Sequence, residues 1–426
     1  MKSEILNIFK EKFIIKISII LISLFPIMLL LGPAVLNTSI VIMNIFFLIH
    51  VFDQKKFRIF NNDIFYFLIF LWVFLMINTL LNDNFELNYS RAFGFIRFIL
   101  LIFLLSYFLS YKNFQFKKTI FNIWSIIFVI VSLDLIFEFI YGFNVLGNKS
   151  PYDGRLVGFM GDQLKIGHWY LCFALIVFGN FFHTNKFYFI LFLLILISFL
   201  IGERANFFRL VFAILFLIFI SRQLTFKNLG FLIIVFGVIF LILNYAGNTG
   251  KHPDFKNRYA GQIVNILKLK SFKKINNNNS YTPMYLNAYY IFKENKLLGV
   301  GLGSYAKKSN EKYRKTWHPL FLPTHKINGY EILGNTHPHQ YHLEILATLG
   351  LPGYIFVSLL LLYFFYKNFY FYKRNRKPIN LASLAFILVF FLPLLPTGSF
   401  FTTYGAAMFW LNFSLMNLGN FKNINY

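Results

Sequence analysis

The sequence predicts an all-α polytopic membrane protein with about twelve transmembrane helices and one long loop outside the membrane. Hydrophobic residues make up 58% of the chain and charged residues only 13%, whereas about a quarter of a soluble domain is charged. Apolar runs of roughly 17 to 25 residues, enough to cross a bilayer, recur along nearly the whole sequence. A water-soluble fold of this length could not bury so much apolar surface.

The apolar runs define the individual spans. The first run follows several lysines but has no small-residue cleavage site, so we predict a retained span and not a cleaved signal peptide. The predicted spans are residues 13–32, 34–52, 63–81, 92–111, 119–141, 166–183, 187–202, 205–221, 229–245, 343–366, 380–397 and 400–418.

Basic residues in the short loops predict the orientation. With the N-terminus in the cytoplasm, every inward loop is basic and the opposite short loops hold only scattered cations. This orientation places both termini in the cytoplasm. The inward cations are Lys55, Lys56, Arg58, Lys112, Lys117, Lys118, Lys186, Arg222, Lys227 and those of residues 367–377.

The net charge of +25 would suggest nucleic-acid binding in a soluble protein. Here many of the cations lie in short loops between apolar runs, where positive charge sets topology, so we expect no nucleic-acid partner. The single cysteine, Cys172, lies within an apolar run and allows no intrachain disulfide.

Residues 246–342 contain no spanning run and are rich in Asn, Lys, His, Gly and Tyr. We predict that this segment is a long extracytoplasmic loop, because long translocated loops are largely exempt from the charge rule. The chain then divides into a transmembrane bundle of about nine helices at 1–245, the loop at 246–342 and C-terminal transmembrane helices at 343–426.

Polar and imidazole groups are concentrated where the long loop meets the next span, in the segment from Asn335 to Gly353. A histidine at this boundary can reach both lipid-borne and aqueous substrates. Pro338 fixes the backbone before the helix, and the segment from Gly350 to Gly353 allows close packing or a bend. An alternative is that these are interfacial histidines without a catalytic role.

This segment resembles the signature of the O-antigen ligase and polymerase family. The family pattern is a His followed by Asn, Ser or Gln, then nine residues, Gly, two residues and Gly or another small residue. His339, Gln340, Gly350 and Gly353 occur at those spacings. Leu343, Glu344 and the segment 347–350 are also similar to the family, as is the position of the motif after a large loop.

A charged turn at Gly202 to Asn206 precedes a span on the predicted outer side. Arg204 followed by Ala205 is similar to a family feature, and a guanidinium at the membrane edge can form two hydrogen bonds with a phosphate. The alternative is an ordinary interfacial arginine, paired with Glu203.

Two further stretches resemble the family less closely. Arg155 lies in a glycine-containing outer loop and is a candidate polar contact or a solvated charge. Residues 297–305, with glycines at 299, 301 and 303, are similar to a glycine-rich stretch before the His block, and we predict a tight turn there. The arginine that the family often carries upstream is missing from residues 281–288, so Arg258 is a substitute candidate.

Other ionisable groups lie within spans, namely Asp134, Glu138, Arg97 and Arg209, and they could be functional or could stabilise the bundle by pairing. The histidines of residues 325–342 could in principle form a metal site, but few carboxylates accompany them. The resemblance implies metal-independent transfer without a cofactor.

The resemblance implies a bacterial inner-membrane glycosyltransferase of type C architecture, with the long loop in the periplasm. Such an enzyme would transfer a glycan from undecaprenyl diphosphate to a hydroxyl of lipid A-core. His339 would be the catalytic base, since a neutral imidazole can accept a proton. Arg204 would stabilise the diphosphate, and the candidate substrate-binding residues are Arg155, Arg258, His337, Gln340 and Glu344.

Three alternatives stay open at this point. Within the family, a polymerase would extend a lipid-linked glycan, and the same fold could glycosylate proteins. A polysaccharide transporter or flippase would concentrate charges inside spans and would break helices at the membrane midplane. The candidate residues of this sequence instead lie at outer boundaries and in one long loop.

Overall fold

A computed structural model describes residues 2–82, 85–110, 114–161, 164–184, 186–221, 226–249, 259, 281–311, 324–327, 330–393 and 395–419. It is that of a polytopic helical membrane protein. Within these ranges the helices are α1 (Lys2–Ser23), α2 (Phe25–Leu30), α3 (Pro33–Asp53), α4 (Asp63–Leu80), α5 (Phe85–Gly94), α6 (Ile96–Ser110), α7 (Phe114–Tyr141), α8 (Ile166–Phe181), α9 (Phe187–Leu200), α10 (Arg204–Ile220), α11 (Phe226–Thr249), α12 (Thr282–Glu294), α13 (Tyr305–Glu311), α14 (Tyr341–Asn375), α15 (Pro378–Phe391) and α16 (Thr403–Asn417).

Five stretches of helix in the described ranges are long and apolar enough to cross a membrane: Pro33–Asp53, Asp63–Leu80, Asn88–Ser110, Phe116–Tyr141 and Tyr341–Asn375. Shorter apolar helices accompany them, among them α8, α9 and α15. Large apolar side chains are exposed along the outer helices, for example Phe70 of α4, Leu133 of α7 and Leu362 of α14. Apolar surface of this kind is stable only in contact with lipid.

The centre of the bundle consists of α6, α8 and α16, which are buried on nearly all sides. Helix α16 packs on α6, and α15 packs on both α8 and α16. Helices that are apolar all round are typical of such a position.

Helix bounds differ from the predicted spans where prolines interrupt the chain. The first predicted span is divided into α1 and α2 near Pro26, which has no N–H to offer the carbonyl of Ile22. The indole of Trp124 donates to that carbonyl instead, over 2.9 Å. The predicted span 380–397 ends early, at Phe391, and Pro393 follows the end of the helix. The number of about twelve spans stays a prediction.

A second interruption lies inside α14. Gly350 has a φ of +70° and a ψ of −173°, so the helix is broken there, as the predicted bend required. The glycine-rich turn fills the break: Val300 and Gly301 donate their N–H groups to the carbonyls of Ala347 and Thr348, both over 2.9 Å. The N–H of Leu351 in turn bonds to the carbonyl of Lys296 over 2.8 Å. The tight turn predicted for this stretch is therefore present and replaces the missing helical bonds of α14.

The described residues between 281 and 340 pack at the end of the bundle where α14 begins. Helix α12 packs on α14 and on a two-stranded antiparallel sheet, β1 (Thr324–Ile327) and β2 (Tyr330–Leu333), in which His325 pairs with Ile332. Ala288, Val300 and Ala347 belong to one small apolar cluster that joins α12, the glycine-rich turn and α14. This cluster holds α12 and the glycine-rich turn against the first turns of α14.

Two of the intramembrane carboxylates hold the loop that follows α7. Glu138 accepts hydrogen bonds from the N–H groups of Val157 and Gly158, the latter over 2.7 Å, and Asp134 accepts one from Val145 over 2.9 Å. Both acids therefore accept hydrogen bonds from the backbone of this loop. In the same loop, the N–H of Leu156 donates to the carbonyl of Ile201 over 3.0 Å. This bond places Arg155 beside the turn between α9 and α10.

Candidate functional site

His339 lies in the short segment immediately before α14. Its φ of +55° is in the left-handed region, which residues other than glycine seldom adopt. The N–H of Thr397 donates to the His339 carbonyl over 2.7 Å and holds this conformation. A left-handed residue with a side chain costs about 1–2 kcal/mol, and such strain persists where the surroundings fix the backbone, often at functional sites.

The rings of His337 and His339 lie together, with centroids 4.1 Å apart. Tyr281, next to α12, places its ring at 5.7 Å from His339 in an edge arrangement. The predicted substrate-binding His337 and the predicted base His339 are therefore brought together, half-buried, at the N-terminal end of α14.

Both imidazoles are held in the neutral form. Burial, the neighbouring His339 ring and His168 lower the pKa of His337 to about 3. Burial also lowers the pKa of His339, and His168 contributes, whereas Thr397 and Glu203 act in the opposite direction. A neutral imidazole at neutral pH has a lone pair with which it can accept a proton.

The turn before α10 brings a carboxylate between two basic groups. Oε1 of Glu203 lies 3.4 Å from a guanidinium nitrogen of Arg155 and 3.4 Å from Nδ1 of His168. Burial alone would raise the pKa of Glu203, but His168 and Arg155 outweigh it and lower the pKa to about 2. The Glu203 carboxylate is therefore charged throughout the physiological range, and it holds Arg155 in the site.

Arg209 and Asn206, both buried in α10, connect this turn to the segment between α15 and α16. The Arg209 guanidinium donates to the carbonyls of Leu395 and Pro396 over 3.0 and 2.6 Å, and to Oδ1 of Asn206 over 3.1 Å. It also lies over the ring of Phe390, 4.9 Å from its centroid. Since the same segment holds His339 through Thr397, Arg209 supports the backbone of the site.

Sequence reasoning missed His168 and Lys165 as site residues. His168 lies two residues after the start of α8, inside a predicted span, and Lys165 is the residue before that helix. Both lower the pKa of His337 through their charge, which places them near the two imidazoles. A signal was available, because a His and a Lys at the outer end of a predicted span have the same boundary position as His339.

Arg204 is the first residue of α10, half-buried and directly after Glu203. Arg155 also donates to the carbonyl of Leu164 over 3.3 Å, and it lines a cavity together with Glu138, Tyr152 and Leu200. Arg258 lies outside the described residues.

The side chains of Gln340 and Glu344 are used in local structure. Oε1 of Gln340 accepts the N–H of Leu343 over 3.0 Å and thereby caps α14. The Glu344 carboxylate accepts hydrogen bonds from the hydroxyl of Ser399 and from the N–H of Phe400, the latter over 2.7 Å. The first contact fixes the start of α14. The second fixes the segment between α15 and α16, which bonds to the His339 carbonyl through Thr397.

The described residues contain no group of three or more His, Cys, Asp or Glu side chains placed to hold a metal ion. The arrangement combines a neutral proton acceptor, His339, with the Arg155–Glu203 pair and with Lys165, whose charge acts on His337. Such a group of residues can remove a proton from a hydroxyl and stabilise a developing anion.

Comparison with known proteins agrees with this chemistry. No curated protein matches the chain. A family model described as O-Antigen ligase matches residues 189–358, from α9 to the middle of α14, and this range includes Glu203, Arg204 and the whole His block. The match supports assignment of the chain to the O-antigen ligase and polymerase family.

Proposed function

We propose that the protein is an O-antigen ligase-like glycosyltransferase that moves a glycan from undecaprenyl diphosphate to a hydroxyl of lipid A-core at the periplasmic face of the inner membrane. The observation that carries the proposal is the neutral, half-buried ring of His339 at the N-terminal end of α14, close enough to the Glu203 turn for the carboxylate to act on its pKa. The family match, which covers both features, supports it.

In this reaction His339 accepts the proton of the acceptor hydroxyl while that oxygen attacks the anomeric carbon of the donor sugar. The bond between that carbon and the phosphate oxygen breaks, and the diphosphate leaves with the bonding electrons. Arg204 and Arg155 stabilise the charge on the diphosphate. Arg258 and His337 bind the substrates, and Gln340 and Glu344 act at the same site through the backbone segments they fix.

The arrangement of the chain in the membrane belongs to the same proposal. The bundle of residues 1–245 and the helices of 343–426 lie in the inner membrane, the termini face the cytoplasm and the loop of 246–342 lies in the periplasm. The reaction uses no cofactor and no metal ion, because guanidinium and ammonium groups supply the positive charge that a divalent ion would otherwise provide.

Complementation of a ligase-null strain tests the function. Wild-type protein should restore long glycan attached to lipid A-core on a lipopolysaccharide gel, and His339→Ala should not, at equal protein levels in the membrane. His183→Ala is the matched control, because His183 is exposed at the opposite end of α8. Transfer in isolated membranes should persist after washing with EDTA.

Three results would contradict the proposal. Long glycan restored by the His339→Ala variant would remove the base from the mechanism. Loss of transfer on EDTA treatment, with recovery on adding Mg²⁺, would show a metal requirement. Lengthening of the lipid-linked glycan without attachment to lipid A-core would identify a polymerase.

A further inference from the structure

The orientation of the Asn206 amide is fixed by its neighbours. Its Oδ1 accepts a hydrogen bond from the Arg209 guanidinium, which has only donors, over 3.1 Å. Its Nδ2 therefore faces Nδ1 of His168, at 3.0 Å. Arg209 is itself immobilised by the carbonyls between α15 and α16, so the amide cannot reverse without losing this bond.

This orientation decides the tautomer of His168. An amide nitrogen only donates, so in the neutral ring Nδ1 of His168 accepts from Asn206 and the ring hydrogen lies on Nε2, and the protonated ring, whose charge acts on Glu203, carries a hydrogen on Nε2 as well. The Glu203 carboxylate is farther from Nδ1, at 3.4 Å, and is also engaged by Arg155. In the opposite neutral tautomer the hydrogen would be on Nδ1. Two donors, the Asn206 amide and Nδ1–H of His168, would then face each other.

The hydrogen on Nε2 has no acceptor among the described residues, although this atom is buried. A buried N–H without an acceptor costs about 1–3 kcal/mol, so it is typical of a group whose partner is a ligand. Nε2 lies beside Gly398, where an added Cβ would be 3.6 Å from it and, in the part of the chain that the structure describes, would meet only the His168 ring within 4 Å. The missing side chain leaves a small space next to Nε2.

The space is close to the candidate base. Gly398 directly follows Thr397, which bonds to the backbone of His339, and the charge of His168 acts on both His337 and His339. Lys165 and Arg155 are the nearby cations, and Glu203, already engaged by Arg155, is the nearby acid. A group entering this space would meet a donor in predominantly basic surroundings, which favours an anionic oxygen.

We propose that Nε2–H of His168 and the open face of Gly398 form a binding site for a phosphoryl oxygen of the departing diphosphate. This proposal rests on the proposed function. His168 then stabilises the leaving group from the side of α8, while His339 removes the proton from the acceptor. Asn206 and Arg209 act as positioning residues that keep the hydrogen on Nε2.

Nitrogen-15 spectra of histidine test the tautomer independently of activity. The full-length protein, labelled at histidine, is placed in liposomes, and the His168 signals are identified by their loss in the His168→Gln variant. A hydrogen on Nε2 supports the proposal, and a neutral ring with its hydrogen on Nδ1 overturns it. Adding undecaprenyl diphosphate to the liposomes should shift the Nε2 signal in wild type but not in Gly398→Ala.

Transfer assays test the role in the reaction. His168→Ala should lower the rate of transfer about 100-fold, as expected for the loss of one donor to a developing anion. The amide of His168→Gln places a donor near the position of Nε2, so this variant should transfer glycan at least about tenfold faster than His168→Ala. Gly398→Ala, whose methyl fits at ordinary contact distance but fills the space, should lower the rate about tenfold.

The controls are His183→Ala, just beyond the opposite end of α8, and Gly237→Ala, where an added methyl meets no described atom within 4 Å. Wild-type rates in both His168→Ala and Gly398→Ala would overturn the proposal. So would an unchanged Nε2 signal in a wild-type protein that transfers glycan from the diphosphate donor. If wild type transfers no glycan from that donor, the proposed function fails instead, and the tautomer result still stands.

Discussion

The side chains of the candidate site are held by contacts between residues distant in sequence. His339 is fixed by Thr397, and Glu203 meets both Arg155 and His168. The proposed base must be neutral when the hydroxyl binds, and burial favours this for His339 by lowering its pKa. The same arrangement keeps Glu203 charged, because two basic partners outweigh its burial.

The pH dependence of transfer should report the lowered pKa of His339. Only the neutral ring accepts a proton, so the rate falls as the pH drops through the pKa, and the midpoint of this fall should lie below the ordinary value of 6.5. Since Glu203 raises the pKa of His339, Glu203→Gln should move the midpoint to lower pH still. The measurement is kcat/KM against pH in isolated membranes. A midpoint above 6.5, or a shift to higher pH in the variant, would contradict this assignment.

Gly167 leaves the space that the Glu203 carboxylate occupies. A methyl group at residue 167 would overlap Oε2 of Glu203. We expect Gly167→Ala to displace the carboxylate from Arg155 and His168, to lower the thermal midpoint through about 1–3 kcal/mol of strain and to reduce transfer. The measurements are thermal unfolding in detergent and the transfer rate in membranes. Gly237→Ala is the control, and a Gly167→Ala protein with both wild-type stability and wild-type activity would exclude this role for Glu203.

His339, Arg204 and Arg155 could be chosen from the sequence because each is a polar residue at the boundary of an apolar run. The residues that hold the site together could not be chosen in this way. Asn206 has no distinctive position in the sequence, and its role depends on Arg209 and His168, which lie on either side of it in space. Hydrogen bonds between separate helices produce no periodic pattern in the sequence. The position of the His168 ring hydrogen therefore follows only from the three-dimensional structure.

At the level of elements, each of two interrupted helices has its free carbonyl satisfied from another segment. The Trp124 indole donates to the carbonyl of Ile22, which Pro26 leaves without a helical donor. The N–H of Gly301 donates to the carbonyl of Thr348, which Pro352 leaves without one. The sequence predicted a turn at residues 297–305 and close packing or a bend at Gly350 to Gly353, because glycine permits both. It could not predict that the turn fills the bend, because that pairing depends on the approach of two separate backbones.

Gly350→Ala tests this pairing. The glycine has a φ of +70°, and a Cβ there would overlap the carbonyl of Leu297, so the turn must move away from α14. Left-handed strain and overlap together should cost about 2–4 kcal/mol. We expect a lower thermal midpoint and reduced transfer, because the His block begins the same helix. Gly230→Ala, where a methyl meets no atom of the described residues within 4 Å, should match wild type in both measurements, whereas an unchanged Gly350→Ala protein would show that the turn is not required.

For the whole molecule, composition alone predicted a helical membrane protein, and the structure confirms that class. The bounds of the helices were less accurate, because α14 continues to Asn375, beyond the predicted end at 366, and the residues around Pro393 and Pro396 are not helical. A hydropathy pattern reports how much of a segment is apolar, but proline and polar contacts decide where the helix ends.

Orientation is the property of the whole molecule on which the proposed chemistry depends, since His339 must face the periplasm. Lys307 in α13 and Arg374 at the end of α14 are both exposed, and the predicted topology places them on opposite sides of the membrane. In a Cys172→Ala background, a membrane-impermeant maleimide should label Lys307→Cys in cells with an opened outer membrane. It should label Arg374→Cys only after the inner membrane is permeabilised. The reverse pattern would place the His block in the cytoplasm, away from any periplasmic acceptor, and transfer to lipid A-core at the outer face would then be impossible.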